Sequence, residues 1–139
     1  MKRQATYRLG IFALFILLTA TPFARAGQNV CADYPSRTKC IAELREQLSH
    51  YTSEVEVWWQ HLSEDLGKKA ASRVQAAHRA WQRALHRKCG VKGHRVPKDE
   101  KTMSCLIKGM YDCLWTLRDA VFRLENGQPL NSWPPCASR

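Results

Sequence analysis

Residues 36–66, SRTKCIAELREQLSHYTSEVEVWWQHLSEDL, decide the fold. Their apolar positions are Cys40/Ile41, Leu44, Leu48, Tyr51, Val55, Trp58/Trp59, Leu62 and Leu66, an almost unbroken three-four spacing. Side chains so spaced share one face of a 3.6-residue helix but would scatter over both faces of a strand, so the segment predicts a long amphipathic helix. Asp33 before Pro35 supplies a start signal and Gly67 a stop. The pattern recurs twice downstream. Residues 69–89 align Ala71, Val74, His78, Trp81 and Leu85 ahead of Gly90. Residues 99–125 align Met103, Leu106, Met110, Leu114, Leu117, Val121 and Leu124, with Asn126-Gly127 and Pro129 as terminators. Trp81 and Trp115 are assigned to these core stripes. No segment reads as a strand. Three helices of this length bury their stripes on one another, which predicts an all-α antiparallel three-helix bundle.

Upstream, Lys2, Arg3 and Arg8 precede an apolar run at residues 9–18, LGIFALFILL, and then Ala24-Arg25-Ala26. A basic start, a short apolar core and an A-x-A site read as a secretory signal peptide over residues 1–26. The run is about half the ~20 residues that span a bilayer, so no stable membrane anchor is expected. Residues 27–139 then form a single helical domain. Cleavage removes four bases (Lys2, Arg3, Arg8, Arg25) and no acid, so net charge falls from +10 to +6. The expected location is periplasmic or secreted, which sets nucleic acid aside as a partner.

Cys31, Cys40, Cys89, Cys105, Cys113 and Cys136 all follow the signal segment. An even count behind an export signal reads as three disulfides. There is no C-x-x-C, C-x-x-C-H or H-E-x-x-H, and His86 with Cys89 cannot alone complete a tetrahedral site. No metal and no cofactor is expected. Cys105 and Cys113, eight residues apart on one helix, lie about 12 Å from each other, too far to bond. The tail at residues 128–139 can reach back along the third helix, which predicts Cys113–Cys136. The other four cysteines gather at one end of the bundle, as Cys40–Cys89 with Cys31–Cys105, or as Cys31–Cys89 with Cys40–Cys105. Each bridge is expected to close a loop of more than about 20 residues and to contribute roughly 2–5 kcal/mol.

Charge is divided along the chain. Residues 33–66 hold seven acids and three bases, and residues 67–101 hold eleven bases and two acids. Arg79, Arg83 and Arg87 recur every fourth residue and stack on one helix face, with Lys92 and Arg95 in the loop beyond. Such a stripe suits an anionic envelope component such as lipopolysaccharide; the blander expectation is that these bases pair with the acidic first helix. Trp58 and Trp59 point about 100° apart, so at most one sits centrally in the core. The other is expected beneath Trp133 of the tail, or exposed as an anchor for a partner. His78 is expected as a core histidine. No catalytic constellation is apparent, and oxidised cysteines leave no thiol nucleophile, so the chain reads as a binding protein and not an enzyme.

Ala76-Ala77-His78-Arg79-Ala80-Trp81 followed by Cys89, then Cys113, Thr116 and Arg118, with the early pair Cys31 and Cys40 and with Leu48 and Tyr51 in the first helix, resembles the LprI-like lysozyme-inhibitor family of exported bacterial proteins. The chain departs from that pattern at His78, where the family usually has Gln, and at Leu85, where it usually has Arg. Thr116 and Arg118 also stand nearer their Cys than usual, and Cys105 and Cys136 have no counterpart. The resemblance implies an exported helical protein that binds an envelope or host protein, in some members a lysozyme. The +6 charge opposes a basic lysozyme at long range, and only the acidic face of the first helix offsets it.

Overall fold

A computed structural model of the protein describes residues 30–93 and 95–137; the expected signal segment at residues 1–26 and His94 lie outside them. The described residues contain three α-helices and no strand: α1 (Arg37–Leu66), α2 (Ala71–Lys88) and α3 (Glu100–Glu125). A 3-10 turn, Lys68–Ala70, joins α1 to α2 and moves the start of α2 two residues beyond the expected one. Ser36, and not Asp33, caps α1, its hydroxyl accepting from the Lys39 amide at 3.5 Å. Gly67 ends that helix at φ 79°, a left-handed conformation that favours glycine. Asp99 caps α3, its carboxylate accepting from the Thr102 amide at 2.8 Å.

α1 and α3 form the principal pair, and their contacts advance in step. Cys40 and Leu44 cluster with Met103 and Ile107, Tyr51 meets Tyr111, and Glu54 meets Arg118. The main core joins Val55, Trp59 and Leu62 to Val74 and Leu85 of α2 and to Leu106, Met110, Leu114, Leu117 and Val121 of α3. Gly109 lets α2 approach closely: a Cβ there would collide with Leu85 Cδ1. The tail fills the space between α2 and α3. Leu130, Trp133 and Cys136 pack against the main core, Pro135 is buried, and Asn131 Nδ2 donates to Asp119 at 3.0 Å.

The disulfides are Cys31–Cys40, Cys89–Cys105 and Cys113–Cys136. The last matches the reach of the tail. The other two correct both expected pairings, Cys40–Cys89 with Cys31–Cys105 and Cys31–Cys89 with Cys40–Cys105. Proximity at one end is not enough to choose partners there. The N-terminal arm turns through a Tyr34 amide to Cys31 carbonyl bond and lays Cys31 on the first turn of α1, so it meets Cys40. Cys89, the C-cap of α2, then meets Cys105 on the second turn of α3. Sequence separations of 9 and 16 also correct the expected loop lengths. The arm still touches α3, because the Cys31 amide donates to the Glu100 carboxylate at 2.8 Å.

Candidate functional site

The adjacent tryptophans part company as their helical offset requires. Trp59 is 2 % exposed and turns toward α2, where His78 stacks on it at 5.1 Å and Trp81 follows at 6.0 Å from His78. Trp58 turns toward α3 and stays half-buried. Its cover is Arg118, whose guanidinium stands 5.3 Å from the Trp58 ring. Trp133 does not cover it. The tail carries Trp133 to α2, where Arg73 lies 4.5 Å over the ring.

Trp115 corrects a second expectation: it is 56 % exposed and outside the core. The α3 core stripe passes through Leu114 and Leu117, and a residue one position on is rotated about 100° from the first. Trp115 instead belongs to a second stripe, Tyr111, Trp115, Arg118 and Phe122, at i, i+4, i+7 and i+11, running beside α1. Phe122 is 62 % exposed. From α1, Tyr51, Glu54 and Trp58 face this stripe. Tyr51 meets Tyr111 edge-on at 5.9 Å, and Tyr111 meets Trp115 at 6.1 Å. Arg118 lies between Trp58 and Trp115, 5.8 Å from the latter, and its Nη2 donates to Glu54 at 3.1 Å. Cation–π contacts on two indoles and a carboxylate partner hold one guanidinium in place at the surface. At Tyr51 the seam meets a shallow groove of about 680 Å³, lined by Lys39, Glu43, Glu46, Gln47 and His50.

No protein-family model, curated protein or solved structure matches this chain. The seam must therefore be read from its own chemistry. It combines exposed aromatics, a fixed arginine and neighbouring carboxylates. No group of three or more His, Cys, Asp or Glu among the described residues could hold a metal. No described helix is long and apolar enough to cross a membrane.

The basic residues of α2 lie elsewhere. Arg79, Arg83 and Arg87 are exposed, as are Lys92 and Arg95 in the loop. They do not pair with α1. Among the described residues the one acid–base contact between these helices is His78 Nε2 with Glu56, at 3.5 Å, and burial disfavours the charged imidazole there. The expected neutralisation of α2 by α1 fails because the facing sides of the two helices are apolar and aromatic, and the arginines project on the far side. Sequence reasoning noticed Trp58 but missed Trp115, Tyr111 and Phe122. The missed signal was a second apolar stripe on α3, offset from the first.

Proposed function

We propose that the chain is an exported, disulfide-stapled antiparallel three-helix bundle that works by binding a basic protein, in the manner of the lysozyme inhibitors it resembles. The observation that carries this reading is Arg118, held between Trp58 and Trp115 on an open seam. Trp, Tyr and Arg dominate the energetics of protein interfaces, and side chains already ordered lose little freedom on docking. Glu43 and Glu46 on α1 place negative charge beside the seam, while Glu54, Asp112 and Asp119 are each paired with a base, Arg118, Lys108 and Arg123. The chain's excess of positive charge is concentrated in residues 67–101, so its net sign does not describe this face. A basic partner would be steered to the seam at short range. The three disulfides suit an oxidising compartment, the periplasm or the exterior. On this reading the seam contributes contact and no catalysis.

The test is titration of the oxidised protein against a basic lysozyme, by calorimetry and by inhibition of cell-wall lysis. Trp115→Ala is expected to weaken binding by about thirtyfold, the loss of a hot spot of about 2 kcal/mol. Arg83→Gln on α2 should leave it unchanged. Absence of binding, or equal affinity of the Trp115 variant, contradicts the proposal.

A further inference from the structure

The basic face of α2 has no role in the seam, and its arginines form no ion pair among the described residues. Residues 67–98 contain ten Lys and Arg and not one Asp or Glu. Arg79, Arg83 and Arg87 are exposed, and none enters an ion pair among the described residues. The exposed side chains sharing their face are Ser72, Ala76 and Ala80, with uncharged Gln75 one turn before Arg79, so the guanidinium groups are its only charged feature. The three arginines span about 12 Å along the helix. Exposed Lys68 and Lys69 continue the charge at one end, and Lys92 and Arg95 at the other.

We propose that this face of α2 is a peripheral docking strip for the phosphate headgroups of an anionic membrane surface. Arginine forks bind phosphate oxygens two at a time. A straight row of exposed arginines suits an array of phosphates on a plane better than one enclosed anion. The absence of any large apolar side chain on the face means that the helix rests on the headgroups without entering the acyl region. A flexible soluble polyanion would wrap the protein and engage Lys101 and Lys108 as readily, whereas a planar surface meets one straight row. Docked by α2, the protein presents the α1–α3 seam away from the membrane.

The experiment is co-sedimentation of the oxidised protein with phosphatidylcholine vesicles containing about one-third phosphatidylglycerol. Binding is expected to these vesicles, to vanish with pure phosphatidylcholine, and to fall steeply with salt. R79Q/R83Q/R87Q should weaken it roughly a hundredfold, about fivefold per arginine, with the helical circular dichroism unchanged. Equal binding of the triple variant, equal binding to neutral vesicles, or retention on heparin without vesicle binding would each overturn the proposal, the last by making a soluble polyanion the ligand.

Discussion

His78 shows how one residue reports its surroundings. It packs against both the Trp59 and Trp81 rings, which also meet each other, and burial holds its imidazole below the ordinary value; Glu56 pulls the other way, and Arg79 pushes it lower again. The folded state therefore binds the His78 proton less well than the unfolded chain does. Its contribution is fully present above the unfolded value near 6.5 and is lost as pH falls through and below it. We expect the melting temperature to drop more between neutral pH and mildly acid pH in the parent than in His78→Phe, which keeps the ring stack without the titration. Parallel slopes would show that His78 is not the cause. Leu62, 0 % exposed, is the plainest packing test: Leu62→Ala should cost about 2–5 kcal/mol in denaturant unfolding.

At the scale of elements, the close approach of α2 and α3 hangs on Gly109. Alanine ordinarily favours a helix over glycine by about 1 kcal/mol. Here the new methyl would meet buried Leu85, and overpacking of that kind costs about 1–3 kcal/mol. Gly109→Ala is thus expected to lower stability slightly instead of raising it, which a chemical-denaturation midpoint reads directly. The tail is the other exposed test. Replacing Cys113 and Cys136 together with Ser should cost about 3 kcal/mol by loop-closure entropy, and should raise proteolytic cleavage around Trp133 while α1 stays protected. The helices were legible in the sequence because the three-four spacing of residues such as Leu44, Leu48, Val55 and Leu62 has one good structural solution. Cys113–Cys136 was legible because a short tail has few places to go. Cys31–Cys40 was not, since a tight turn in the arm competes with two other partners for Cys31 at the same end, Cys89 and Cys105, and only the turn's own hydrogen bond settles it. Trp115 was misplaced for a related reason: Leu114 and Trp115 both fit a loose apolar stripe, and one position of rotation separates core from surface.

Across the whole molecule the asymmetry lies in how the two long grooves are finished. The groove between α2 and α3 is closed by the tail, with Trp133, Pro135 and the Cys113–Cys136 bridge. The groove between α1 and α3 is left open and lined with Tyr51, Trp58, Tyr111, Trp115 and Arg118. Glu43 and Glu46 lie beside that open side, and the acid-free residues 67–98 carry the positive charge elsewhere. A molecule so divided should use different faces for different partners, and raising salt should weaken the α2 contact far more than an aromatic seam. The most direct measurement is amide hydrogen exchange of the oxidised protein with and without saturating lysozyme. The account predicts new protection at residues 51–58 and 111–122 and none at residues 79–87. Protection confined to α2, with the seam unchanged, would contradict it.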